Sequence, residues 1–223
     1  MKLGRLLGVP QNTVPADLST DEGRRRAIRE MLWSDHGFLR VRFRNLHQLS
    51  DEMWRCNQPQ PHHIERLSAD LAIKTIINLR GESHKGYYLL EKEACERLGI
   101  QLINYKIRSR DVPSPSVISG ARALFESIEY PAVMHCKSGA DRAGLMSTLY
   151  MIFRANNSVE EARGQLALKY LHMKWGKTGI LDHYFDAYLS EYKKTGIEFE
   201  EWAKHVENTA DMKRNFLSNR SVW

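Results

Sequence analysis

The sequence predicts an α/β fold: a single domain with a mostly parallel central sheet flanked by helices, and with a helical C-terminal part. Short apolar runs typical of buried strands alternate with helical patterns of about a dozen residues, and such βαβ units produce parallel strands. Beyond residue 155 the periodic pattern is helical only. With 223 residues, the chain is long enough to bury one sizeable core.

The individual elements follow from hydrophobic periodicity and from turn residues. We expect strands at 38–43, 52–56, 74–80, 101–107 and 131–134, and helices at 61–72, 87–98, 117–128, 145–153, 158–171, 180–194 and 197–208. Gly99 stands where a left-handed helix C-cap is expected. Aromatic residues recur on the faces of the C-terminal helices and are expected in the core: Tyr170, Trp175, Tyr184, Phe185, Tyr188, Phe199 and Trp202.

The chain is expected to comprise an N-terminal extension (1–35), a main domain (36–210) and a C-terminal tail (211–223). Residues 1–18 contain prolines and few apolar positions, so they are expected to be irregular. The tail is polar with scattered apolar residues, and we expect it to be loosely held.

A basic amphipathic helix is predicted within the extension, because capping residues precede an arginine-rich stretch that ends at Trp33. This helix has two interpretations. In one it lies on an acidic membrane surface and gives a peripheral membrane contact. In the other, which we expect, Ile28, Met31 and Leu32 pack on the domain while the arginines are solvated.

Composition and charge exclude several classes of protein. No apolar run approaches the ~20 residues that a membrane-spanning helix needs. The apolar stretch of the first ten residues is short and interrupted by Arg5, which argues against a secretory signal, so a cytoplasmic location is expected. The net charge of +6 favours anionic partners, but no interleaved aromatic and basic motif is present and no nucleic-acid partner is expected.

Cysteine and histidine spacing predicts no metal site and no cofactor. Cys56, Cys95 and Cys136 form neither an even set nor a C-x-x-C pair, so a disulfide framework and a structural zinc site are both disfavoured. A reducing compartment fits this pattern. His62 and His63 are adjacent and have no partner at helical spacing, so we expect the pair at the surface.

Residues 130–153 predict a buried strand, a tight loop and a helix in succession, and the loop holds Cys136 and Arg142. Backbone N–H groups of such a loop and of the first helical turn point into one concavity, which suits a phosphate and a cysteine thiolate. Arg142 adds a planar fork of donors for two phosphoryl oxygens. The alternative is an inert buried cysteine and a solvated arginine.

The segment His135–Arg142 matches the HC-x5-R signature and resembles the cysteine-dependent protein tyrosine and dual-specificity phosphatases. Residues 50–155 as a whole look like the bacterial and plant–fungal atypical dual-specificity phosphatases. The resemblance implies hydrolysis of phosphomonoesters without metal or cofactor, through a phosphocysteine intermediate. It assigns Cys136 as nucleophile and Arg142 as phosphate clamp. The other loop positions would line the bound phosphate: Lys137, Ser138, Gly139, Ala140, Asp141 and Ala143.

The resemblance also implies an upstream aspartate that protonates the leaving alcohol. Asp111 follows a predicted strand and opens a loop 25 residues before Cys136, which fits this role of general acid. A turn or helix cap is the alternative for Asp111. Asp141 is placed as in myotubularin-like phosphatases, where the corresponding carboxylate has been considered as the acid; we expect it to cap the helix and offset Lys137. Ala143 departs from the usual Ser or Thr, so breakdown of phosphocysteine is expected to be slow.

The substrate class stays open at this stage. A phosphoprotein, a phosphoinositide, an inositol phosphate and lipid A all fit a loop of this kind. Two other classes of function also remain: an inactive phosphate-binding module and a rhodanese-like sulfur carrier, which does not need the Cys-x5-Arg spacing. Release of phosphate separates the three hypotheses.

Overall fold

The computed structural model describes residues 14–206 and 209–218. The chain divides into two compact units, Met1–Lys106 with Glu129–Ser138, and Ile107–Ile128 with Gly139–Trp223. The predictions for the first thirteen residues and for 219–223 lie outside the described residues. The predicted domain boundaries remain a prediction.

The first unit contains a five-stranded sheet in the order β1-β2-β5-β3-β4. The strands are β1 (His47–Ser50), β2 (Met53–Asn57), β3 (Thr75–Asn78), β4 (Gln101–Asn104) and β5 (Ala132–Cys136). β1 pairs antiparallel with β2, and all the other pairs are parallel. The predicted mostly parallel sheet is therefore confirmed.

Parallel strands buried on both faces explain why the sequence shows continuous apolar runs. Every residue of β2, β3 and β5 is buried. Helices α2 (Pro61–Leu71) and α3 (Gly86–Leu98) belong to this unit as predicted, and α3 ends at Gly99 with a φ of 66°. Ile64, Ile76 and Val133, each fully buried, share one core cluster of the unit.

The strand predicted at 38–43 is wrong. A 3₁₀ turn, Gly37–Arg40, covers the first part of this region, and a π-helical turn, Glu30–Ser34, precedes it. The alternation of apolar and polar residues misled the prediction, because Arg40 is buried against Asp35 while Phe38 is partly exposed. A Cβ on Gly37 would lie 2.5 Å from the backbone oxygen of Met31, so this close turn requires glycine.

The predicted basic helix is present as α1 (Asp21–Arg29). Ala27 and Met31 are buried against Leu90 of α3, and Leu32 is partly buried there, so this face packs within the unit. Ile28 is exposed, which contradicts its predicted packing.

The second unit is helical in its described part, as expected for the C-terminal part. Its helices are α4 (Pro115–Ser127), α5 (Asp141–Phe153), α6 (Val159–Ala162), α7 (Ile180–Thr195), α8 (Phe199–Lys204) and α9 (Thr209–Ser218). The helix predicted at 158–171 is wrong, because only the four residues of α6 are α-helical and 3₁₀ turns follow. The tail predicted to be loosely held is helical through Ser218.

Aromatic packing joins α7 to α8. Tyr184, Phe185, Tyr188 and Phe199 are buried and in ring contact, as predicted. Trp175 is 63% exposed, so its predicted core position is wrong. No helix in the described ranges is both long enough and apolar enough to cross a membrane.

Candidate active site

The signature segment begins at the carboxyl end of the central strand β5, whose last residue is Cys136. The Cys136 side chain is buried, and Gly139 has a φ of 74°, which a residue with a Cβ rarely adopts. Helix α5 begins at Asp141, so Arg142 and Ala143 lie in its first turn. The strand, loop and helix predicted for this segment are thus all present.

The other two cysteines differ from Cys136 in their setting. Cys56 lies within β2 and Cys95 within α3, and both are buried in the same core cluster. Burial raises the pKa of both thiols above the ordinary value. Neither is suited to nucleophilic chemistry, because the thiolate is the reactive form.

Three contacts in the first unit hold Lys137 and Ser138. The Asn45 side chain donates a hydrogen bond of 3.0 Å to the backbone oxygen of Ser138. The backbone N–H of Gln58 donates to the backbone oxygen of Lys137 at 3.3 Å. The Lys137 ammonium lies 3.4 Å from the Asp35 carboxylate. These contacts fix the backbone of Lys137 and Ser138 and place the Lys137 ammonium beside the Asp35 carboxylate.

Asp35 is the centre of a cluster of basic side chains. Arg40 and Arg80 donate to its carboxylate at 2.6 and 2.7 Å. Burial alone would raise the pKa of Asp35, but the charges and hydrogen bonds of Arg80, Arg40 and Lys137 hold it below the ordinary value. Burial, together with the neighbouring guanidinium groups, lowers the pKa of Lys137.

Sequence reasoning missed Asp35 and Arg40. They lie about a hundred residues from Lys137 in the chain and belong to no motif. One signal was present: Arg40 is a charged residue within a stretch that alternates apolar and polar residues. An arginine that becomes buried there needs a partner of opposite charge.

A buried polar network surrounds His135, the residue before Cys136. The Glu91 carboxylate lies 2.7 Å from the imidazole, and both side chains are fully buried. Gln58 donates to the other oxygen of Glu91 at 2.9 Å and accepts from Arg80 at 2.7 Å. This network connects the strand end to the Asp35 cluster, because Arg80 belongs to both.

Asp111 lies in the second unit, in the loop that precedes α4. Its carboxylate is in contact with the ammonium of Lys213 from α9 and lies 3.4 Å from Arg108. The hydrogen bond from Lys213 is the main reason that the pKa of Asp111 is lowered. Asp111 is not a cap of α4, since Ser114 fills that position and accepts from Val117.

Asp141, the second carboxylate considered as an acid, is bound by His172. The imidazole Nδ1 lies 2.8 Å from Asp141, and Nε2 lies 2.7 Å from Asp182 of α7. Burial opposes protonation of His172, but the hydrogen bonds to the two carboxylates raise its pKa to about 9. The expected cap is wrong, because Ala140 occupies the N-cap of α5. Asp141 stands in the first turn instead, and sequence reasoning missed His172.

The described residues, 14–206 and 209–218, contain no group of three His, Cys, Asp or Glu side chains that could hold a metal ion. The surface position predicted for the histidine pair is wrong for His63, which is buried and donates from Nε2 to the backbone oxygen of Val41 at 3.0 Å. Burial lowers the pKa of His63 to about 4, so the ring is a neutral structural group.

A family model described as DSP-PTPase phosphatase fused to NAD+ kinase matches residues 43–180. A search of curated protein sequences returned no match. TpbA of P. aeruginosa is a similar solved structure, with a TM-score of 0.53 and 19% identity over 65% of this chain and 84% of that chain. The active form of Tk-PTP gives a TM-score of 0.51 at 15% identity over 68% of this chain and 97% of that chain.

A putative phosphatase of Shewanella putrefaciens CN-32 gives a TM-score of 0.50 at 15% identity, over 68% of this chain and 97% of that chain. At identities this low, the three structures show a shared fold.

Proposed function

The chain belongs to the family described as DSP-PTPase phosphatase fused to NAD+ kinase and is a cysteine-dependent phosphatase, and from that premise we propose hydrolysis of phosphomonoesters through phosphocysteine. Cys136 is the nucleophile and Arg142 the phosphate clamp. The observation that carries the proposal is the position of Cys136, at the end of a buried parallel strand and five residues before Asp141, where the helix that contains Arg142 begins. Ligands of α/β proteins bind at such strand ends.

The chemistry proceeds in two steps. The Cys136 thiolate forms a bond to phosphorus, and the bond from phosphorus to the leaving oxygen breaks. Water then attacks phosphocysteine, which releases phosphate and restores the thiolate. Backbone N–H groups of 137–142 and the Arg142 guanidinium stabilise the phosphoryl oxygens in both steps, and this charge stabilisation takes the place of a metal ion.

Asp111 is our choice for the general acid. It must be protonated to give its proton to the leaving oxygen, and Lys213 favours the ionised form. The ion pair therefore has to weaken when substrate is bound. Asp141 is the less suitable candidate, because it accepts a hydrogen bond from the His172 imidazole, whose pKa of about 9 keeps it charged at neutral pH.

The substrate class is a phosphorylated protein, inositol phosphate or lipid. A variant of TpbA has been crystallised with pTyr, which supports a phosphoprotein as a first candidate. Lipid A and phosphoinositides are the second candidate, favoured by the net charge of +6 and by the exposed arginines of α1. A reactive thiol requires a reducing compartment, so we propose a cytoplasmic location.

The first test is hydrolysis of an aryl phosphate in excess EDTA, with and without vanadate. We expect full activity in EDTA and inhibition by vanadate. Cys136→Ser should reduce turnover below a few per cent of wild type and still bind phosphate, because the cradle is mostly backbone. Cys95→Ala is the matched control: it removes a buried thiol outside the signature and should retain turnover at temperatures where it is folded.

Two outcomes would refute the proposal. Loss of activity in EDTA would indicate a metal-dependent mechanism, and a Cys136→Ser variant that keeps its rate would exclude Cys136 as nucleophile. Phosphate binding without turnover in the wild-type protein would support the inactive binding module. Transfer of sulfur without release of phosphate would support the sulfur carrier.

A further inference from the structure

The cluster around Asp35 contains more positive than negative charge. Three cationic groups, from Arg40, Arg80 and Lys137, surround the single Asp35 carboxylate. Asp35 balances only one of these three positive charges. Because the setting is partly buried, the remaining charge is screened less than it would be in water. The excess charge makes the site attractive to an anion.

The neighbouring carboxylates reduce this excess of positive charge but do not cancel it. Glu91 faces His135 and Gln58. Glu30 lies 3.2 Å from Lys85 and accepts a hydrogen bond from the backbone of Gly86. Glu30 is thus paired with Lys85, whereas the charge of Glu91 acts on Arg80. Asp35 and Glu91 together balance two of the three cations of the cluster, and one positive charge remains.

The cluster has a buried part and an open part. The side chains of Arg40 and Arg80 are only 7% and 9% exposed, whereas 40% of the Lys137 side chain is exposed. Arg80 is also fixed by the ring of Tyr87, 3.6 Å from its guanidinium carbon. The buried guanidinium groups set the electrostatic potential, and the Lys137 ammonium is the group that a ligand reaches.

His36 contributes to the open part. Its Nδ1 lies 3.4 Å from the Lys137 ammonium, and the side chain is partly exposed. Its backbone is left-handed, with a φ of 62°, a conformation that histidine, asparagine and aspartate adopt more often than most other residues with a side chain.

We propose that Lys137 and His36 present a second anion subsite, which binds an additional phosphate group of the substrate. The inference rests on the proposed function, because Lys137 directly follows the nucleophile and its ligand must be part of the same molecule. The chemical class of substrate is a polyol that carries at least two phosphomonoester groups. Such a polyol occurs as a free inositol phosphate or as a lipid headgroup. The subsite binds the second phosphomonoester group, which both have in common.

The test measures binding by isothermal titration calorimetry to the full chain with Cys136→Ser, which prevents turnover. The probes are inositol monophosphate and inositol bisphosphate. We expect the bisphosphate to bind at least about tenfold more tightly, as an added contact with a charged group predicts. Adding Lys137→Met should reduce this preference to about twofold, and His36→Asn, which tolerates the left-handed backbone, should reduce it in part.

Lys85→Met is the matched control, because Lys85 is a partly exposed lysine of the same unit whose partner is Glu30. It should keep the tenfold preference. A second arm compares hydrolysis of inositol bisphosphate with that of the bisphosphorylated lipid in vesicles by the wild-type chain. A higher rate with either one identifies the source of the phosphates, and both results are consistent with the subsite.

The results separate the inference from the function on which it rests. If both probes bind equally, or if Lys137→Met weakens both by the same factor, the subsite is refuted and the phosphatase proposal stands. If neither probe binds and no phosphomonoester is hydrolysed, both proposals fail. A preference that persists in both Lys137→Met and His36→Asn would place the second phosphate elsewhere and would also refute the subsite.

Discussion

At the scale of single residues, His172 connects two helices through its charge. Its imidazole is fully buried between Asp141 and Asp182, and its pKa is raised from 6.5 to about 9. Because the folded state binds this proton more tightly than the unfolded state, the stabilisation is complete below pH 6.5 and is lost as the pH rises through about 9. His172 therefore stabilises the first turn of α5 under neutral conditions.

We predict that His172→Gln lowers the free energy of unfolding by on the order of 3 kcal/mol at pH 6, since one pKa unit is worth about 1.4 kcal/mol. The loss should shrink as the pH approaches 10. Urea unfolding at the two pH values provides the measurement. His205→Gln is the control, because His205 pairs with Glu201 at an exposed site and should change stability by less than about 1 kcal/mol. Equal losses from His172→Gln at both pH values would show that packing, and not charge, is responsible.

At the scale of elements, α9 lies beyond the residues that the family model matches, yet it contacts the candidate acid. Lys213 of α9 is paired with Asp111, and Phe216 places the same helix against His183 of α7, with ring centroids 5.7 Å apart. The hydrogen bond from Lys213 is the main cause of the lowered pKa of Asp111. This helix therefore influences when Asp111 can carry a proton.

We predict that Lys213→Gln raises the pKa of Asp111 and moves the descending limb of the profile of kcat/KM against pH to higher pH. An acid with a higher pKa stays protonated, and so active, over a wider range. The effect should appear with an alkyl phosphate and be small with an activated aryl phosphate, whose leaving group needs no proton.

Lys204→Gln, which removes an exposed lysine paired with Glu201 on α8, should leave this limb in place. Asp111→Asn should slow the alkyl phosphate far more than the activated aryl phosphate. If it does and the limb is nevertheless unchanged in Lys213→Gln, the ion pair opens fully during turnover.

The elements that the sequence predicted well are those with local causes. β3 and β5 lie in apolar runs, α3 has a glycine C-cap, and the HC-x5-R segment holds Cys136 and Arg142 within a few residues. Hydrophobic periodicity and capping are sufficient for such features.

The missed features depend on partners distant in the chain. Arg40 is buried because its guanidinium donates to the backbone oxygen and to the carboxylate of Asp35. A sequence pattern that alternates apolar and polar residues gives no sign of this pairing. His172 and Lys213 acquire their roles from Asp141 and Asp111, 31 and 102 residues away. Tertiary contacts of this kind decide the electrostatics of the candidate site, and a single sequence does not encode them in any local pattern.

At the scale of the whole molecule, the net charge of +6 predicts a long-range attraction for anions. Iodoacetate and iodoacetamide alkylate the same thiol and differ in charge. The ratio of their rates at Cys136 therefore reports the electrostatic potential at the thiol, because the accessibility of the thiol affects both rates alike. The Debye length falls from about 30 Å at 0.01 M salt to about 3 Å at 1 M. Salt therefore removes the long-range contribution.

We predict that the ratio of the iodoacetate to the iodoacetamide rate falls several-fold as salt rises from about 0.01 M to about 1 M. The rate with neutral iodoacetamide should change little and serves as the internal control. Lys137→Met should lower the ratio at every salt concentration, because it removes a cation next to the thiol, and should leave the dependence on salt mostly intact. A ratio independent of salt would mean that the nearby cations alone attract the anion, and that the excess charge of the rest of the chain has no part in substrate capture.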